Sequence, residues 1–143
     1  MDSDLIRVAD AVVAELNAAG LSQTVNAARQ YRPEFELPVM QVLHMTVVPK
    51  AVETTLAARG RTQNDHTVDI GVQKKYAVDD SAEIDSLMGL VQEIATYFRF
   101  RRLAAVPEAA WVKTVHAPVY APEHMAEYRQ FTSVITLTFR MID

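Results

Sequence analysis

The run Phe131–Met141 constrains this chain more than any other. Phe131, Ser133, Ile135, Leu137, Phe139 and Met141 hold the odd positions, and Thr132, Val134, Thr136, Thr138 and Arg140 the even ones. Successive strand residues point to opposite faces, so the alternation sets a greasy stripe against a hydroxyl-rich one. Threonine suits a pleated, half-wet surface. So regular a strand is expected inside a sheet, its apolar face under other elements, with the remaining strands arranged around it.

The prolines and period changes divide the rest. Leu5, Ala9, Val12, Val13, Leu16 and Ala19 recur at helical spacing behind Asp2, Ser3 and Asp4, and Gly20 supplies a stop. A helix is predicted over 3–19. From Thr24 to Arg32 the period becomes two, predicting a first strand closed by Pro33. Phe35 and Leu37 are apolar anchors in the link 34–38. Met40–Val48 is apolar on both parities and predicts a central strand covered on both sides and ended by Pro49. Residues 51–66 read least clearly. Thr54–Ala58 could extend a strand, but Arg59–His66 is polar and turn-prone, and is expected to be a long loop or arm.

Val68, Ile70 and Val72 alternate with Asp69, Gly71 and Gln73 in a third strand, where Gly71 signals a bulge or a close approach. Asp79, Asp80 and Ser81 announce a second helix over 81–100, with Asp80 and Glu83 at capping-box spacing. Its core stripe is Ile84, Leu87, Met88, Val91, Ile94, Ala95 and Phe98. Trp111–His116 predicts a fourth strand; a proline loop and one helical turn over Glu123–Tyr128 lead to the opening strand. All six prolines fall between predicted elements. The expected fold is a single α+β domain over residues 1–143 in the order α-β-β-β-α-β-β. Its sheet of about five strands is mostly antiparallel, with both helices on one face.

Composition narrows the functional classes. A net charge of −4 argues against a protein that coats nucleic acid. With no cysteine there is no disulfide framework, thiol nucleophile or Cys-based zinc site. The acidic start lacks the basic flank of a signal peptide, and no apolar run reaches the roughly 18–20 residues of a membrane span, so a soluble cytoplasmic product is expected. His44, His66, His116 and His124 show no helical metal-pair spacing, and a metal on His66 with Asp65 and Asp69 is less favoured than a solvated loop. No serine stands in a nucleophile-elbow context, and no glycine-rich phosphate cradle occurs. Neither an enzyme nor a cofactor is expected. Arg59, Arg61, Lys74, Lys75, Arg99, Arg101 and Arg102 could contact phosphates. For Arg99, Arg101 and Arg102 a solvated helix end is the favoured reading.

The succession Tyr31–Leu37, Leu43–Lys50, Val68–Lys75 and Phe131–Arg140 resembles small proteins encoded among the head–tail genes of tailed bacteriophages, specifically the tail-terminator or neck group of long-tailed phages. The likeness covers nearly the whole chain as an order of elements plus these four stretches, none of them a catalytic signature. It implies a structural protein of the virion, made in the host cytoplasm, that forms a ring of typically six copies. Such a ring caps the tail tube, stops its growth and faces the head connector. The implied partners are other copies of the chain, the tail tube protein, a head-completion or connector protein, and DNA that slips through the lumen without sequence recognition; no membrane is involved. Head-closure and minor tail proteins share this size and composition, and a small enzyme or binding module is the rival class. On this reading Arg59, Arg61, Asn64, Asp65 and His66 are the candidate contacts to a neighbouring subunit or the tube. Arg99, Arg101 and Arg102 are candidates to face the lumen.

Overall fold

A computed structural model of the protein describes residues 3–31, 43–76, 81–116 and 130–143. The link at 34–38, the first residues of the predicted central strand, Asp80 and the turn at 123–128 lie outside them. The elements are α1 (Asp4–Ala18), β1 (Ala27–Arg29), β2 (His44–Ala58), β3 (Arg61–Lys75), α2 (Ser81–Phe98), β4 (Ala110–His116) and β5 (Gln130–Ile142). They form an α+β fold with one sheet in the order β1-β2-β3-β5-β4. β2 pairs antiparallel with β3, β3 with β5, and β5 with β4.

The opening strand behaves as its alternation demands. Phe131, Ser133, Ile135, Leu137 and Phe139 are fully buried, whereas Val134, Thr136, Thr138 and Arg140 on the other face are half-buried. Its register with β3 runs unbroken from Gln63↔Ile142 to Lys75↔Gln130, which sets Ile70 beside Ile135 and Val68 beside Leu137. Both helices lay their apolar stripes on this face: Val8, Val12 and Leu16 from α1, and Leu87, Leu90, Val91, Ile94 and Phe98 from α2, join the same buried cluster. Phe98 meets Phe139 edge to face at 6.2 Å.

A buried acid ties the two helices together. Glu15, on the core side of α1, accepts hydrogen bonds from the Tyr97 hydroxyl (2.6 Å) and the Ala104 amide (3.0 Å). Arg101 lies 3.6 Å from the same carboxylate and stacks on the Tyr97 ring at 3.9 Å. Burial and the Glu15 bond raise the Tyr97 pKa.

Three expectations need correction. β1 is three residues long rather than nine and runs parallel to β2. β2 does not stop at Pro49 but continues to Ala58. Beyond the short β1 it is an edge strand, and its register slips between Pro49 and Ala51; edges and bulges are where a sheet tolerates a missing N–H. Thr54–Ala58 does extend the strand, and the polar stretch 59–66 is not a long loop. Together they form the far half of a hairpin whose turn is Arg59-Gly60, with Gly60 in the left-handed region at φ 75°. Gly71, by contrast, marks a close approach, as expected. An added Cβ there would stand 2.9 Å from Thr46 Oγ1 on β2.

Two predictions follow from this packing. Ile135→Asp puts a carboxylate at a site with no solvent access, and a loss of about 4 kcal/mol or more should leave the chain unfolded by circular dichroism. Gly71→Ala forces Thr46 to move and should cost about 1–3 kcal/mol in a denaturant melt; adding Thr46→Ala should recover most of that loss.

Candidate functional site

The far half of the β2–β3 hairpin is a ribbon at the margin of the sheet, its β3 strand still flanked by β5 as far as Gln63. Residues 51–60 are exposed throughout, and β1 reaches only as far along β2 as Val47, so β2 presents an unpaired edge beyond it among the described residues. Leu56 is 79% exposed and Val52 is also exposed. An unpaired strand edge is a template for another chain.

The fold treats the candidate contact residues on this ribbon differently. Arg59 and Arg61 flank the turn and are exposed. Asn64 is held between its neighbours, accepting from Thr54 at 2.8 Å and donating to Thr62 at 3.4 Å. Asp65 is clamped in a two-pronged ion pair with Arg140 of β5, at 2.9 and 3.2 Å. His66 is 4% exposed and points into the core. Arg59 and Arg61 are thus the residues of this set free to meet a partner, while Asp65 and His66 serve the sheet. A metal on Asp65, His66 and Asp69 is also ruled out by strand geometry. His66 lies on the helix-covered face with Val68, and both aspartates lie on the opposite one. Among the described residues no group of histidines and acids is placed to hold a metal ion.

That opposite face is polar and largely self-satisfied. Asp69 accepts from Thr136 at 2.6 Å and lies 3.7 Å from Lys50, and Thr67 meets Thr138 at 3.4 Å. Cross-strand pairs of this kind stabilise a sheet modestly and leave little unmet charge.

At the other edge of the sheet the arginines separate in the same way. Arg101 belongs to the Glu15 clamp, whereas Arg99 and Arg102 are exposed. Between them sits Phe100, which the sequence shows interleaved with the arginines beside Tyr97 and Phe98 but does not place. It is two residues past Phe98 and so falls off the core stripe of α2. Its backbone has φ 61°, unusual for a residue with a side chain, and its ring is 84% exposed. Trp111, at the start of β4, meets that ring edge to face at 5.3 Å. The two aromatics border an open cleft of about 670 Å³, lined also by Arg102, Glu108, Arg140 and Ile142. Arg140 is engaged by Asp65, and Glu108 by Arg7. Among the described residues the Arg102 guanidinium has only the Pro107 carbonyl, at 3.3 Å. Exposed aromatic surface beside an uncommitted arginine is the composition of a protein contact.

His66 generates a prediction about acid. Neither ring nitrogen has a hydrogen-bond partner, and burial, opposed by the charges of Asp4 and Asp65, lowers its pKa below the ordinary value. The unfolded chain then binds the proton more tightly than the folded one. The His66 term is absent above the ordinary histidine range, about 6.5, and stability falls as pH drops below it. His66→Leu should flatten that part of a stability–pH profile and raise stability at neutral pH by about 1 kcal/mol. An unchanged slope counts against the assignment. No family model matches the chain, and none of the curated proteins is significantly similar to it.

Proposed function

We propose that the chain is a structural subunit that works by assembling with copies of itself, and that the assembly is the ring which terminates the tail tube of a long-tailed phage and joins it to the head. The observation that carries the assembly reading is the ribbon: an exposed β2 edge bearing Leu56, unpaired among the described residues and rigidly joined through β3 to the buried centre of the sheet. A monomer gains nothing from such an edge and risks aggregation by it, so a partner is the physical reason to keep it. The neck assignment rests on the resemblance of the four stretches quoted above. The helix-free face agrees with it, because a polar surface whose charges are already paired suits a channel through which DNA must slide.

The decisive experiment is electron microscopy of particles from a phage deleted for this gene. Overlong tails without heads are the expected outcome. Tails of normal length beside heads that leak DNA would identify a head-closure protein instead, and normal particles would remove the chain from the neck altogether.

A further inference from the structure

The register of the sheet carries one inference beyond this, and it rests on the assembly reading. Glu53 on β2 lies opposite Asp65 on β3, Asp65 opposite Arg140 on β5, and Arg140 opposite Ala110 on β4; Ala110 in turn bridges Arg102. One row of residues thus crosses β2, β3, β5 and β4 on the helix-free side of the sheet, starting at a carboxylate and ending at a guanidinium. The charges inside the row are spent on each other, as Asp65 holds Arg140. Its two terminal charges are not: Glu53 and Arg102 are both exposed, and neither has an ion-pair partner among the described residues.

The adjacent row shows the same correspondence in apolar terms. Val52 lies opposite His66, His66 opposite Phe139, and Phe139 opposite Trp111, whose amide donates to the Arg101 carbonyl at 3.0 Å. It begins at an exposed valine and ends at the tryptophan that Phe100 covers edge on. Side chains of neighbouring rows alternate between faces. The two ends of the sheet therefore match on both faces, acid to base on one and aliphatic to aromatic on the other.

We infer that the β2 edge of the ribbon docks against the Phe100–Trp111 cleft of a second copy, bringing Glu53 to that copy's Arg102 and Val52 and Leu56 to its aromatic pair. The contact is heterologous, because the surface given differs from the surface received, so it repeats until a ring closes. Its lateral repeat is five strand spacings, about 24 Å. The strained exposure of Phe100 acquires a purpose: the left-handed backbone turns the ring outward, where a partner can cover it.

Charge reversal with rescue tests the pairing. Glu53→Arg and Arg102→Glu alter exposed side chains without ion-pair partners, so both variants should melt like the parent chain. Each alone should weaken self-association measured by sedimentation velocity by about tenfold or more, and a chain carrying both reversals should regain the parent behaviour. Phe100→Gly should raise the melting temperature by relieving the backbone while weakening association, a combination that a purely structural role for the ring does not produce. Because the chain has no cysteine, Glu53→Cys mixed with Arg102→Cys provides an independent readout under oxidation. Mixed disulfide dimers are expected in excess over either self-dimer. If reversals leave association unchanged and the cysteines fail to cross-link, the docking geometry is overturned while assembly itself stands. If the parent chain remains monomeric at every accessible concentration and also fails to cross-link, both fall.

Discussion

Everything in this fold depends on the pairing of β3 with β5. That ladder is unbroken over thirteen residue pairs, from Gln63↔Ile142 to Lys75↔Gln130, and it fixes which side chains of both strands face the helices. A slip of one residue would turn Ile135, Leu137 and Phe139 into water and bring Thr136 and Thr138 into the core, so the register is held by the full hydrophobic term of the domain. β2 extends this pair on one side and β4 on the other, and α1 and α2 roof the apolar face. The ribbon inherits its stiffness from the same source, because its second strand is the start of β3.

The sequence is most transparent where burial imposes a clean period. Helix α1 is expected at 3–19 and found at Asp4–Ala18, and α2 is expected at 81–100 and found at Ser81–Phe98. The strand expected at 131–141 is found at Gln130–Ile142. In all three, one face is enclosed and the apolar residues record it. The ribbon escapes the same logic for the opposite reason. Ala51–Ala58 is exposed on both faces, so no alternation is imposed on it, and Arg61–Asp65 is polar because it serves a wet surface. Strand character there comes from cross-strand partners remote in sequence, such as Asp65 with Arg140 and Asn64 with Thr54. Pro49 reads as a stop only if β2 has a neighbour on both sides along its length, which β1 does not provide.

The candidate surfaces divide along a similar line. The basic residues of the hairpin tip stand out in the sequence by polarity alone, and Arg59 and Arg61 are indeed exposed. Asp65 and His66 carry the same outward signal and are nevertheless structural, since a short polar word does not reveal which residues share a face. Glu15 is the converse case: an acid within the apolar stripe of α1 that looks like a solvated helix position, yet closes the gap between the helices by accepting from Tyr97 and Ala104. Its partners lie more than eighty residues away, beyond the reach of any local pattern.

Phe100 brings these strands of reasoning together. A large apolar side chain in the left-handed region sets backbone strain against one edge-to-face contact with Trp111 and little other burial, and natural folds keep such a residue where something outside the local structure offsets the cost. The Glu15 clamp supplies rigidity, since Arg101, the next residue, is fixed by Glu15, by the Tyr97 ring and by its own bond to the Tyr97 carbonyl at 3.0 Å. Trp111 supplies one wall, 5.3 Å away. With its backbone anchored and one edge supported, the ring is pre-organised at the margin of the sheet, so a partner settling on it orders little that is not already ordered. The ribbon at the opposite margin is likewise held by β3. In the proposed docking, a contact between two such rigid ends would forfeit little conformational entropy, which is how a modest apolar area and a single charge pair could suffice.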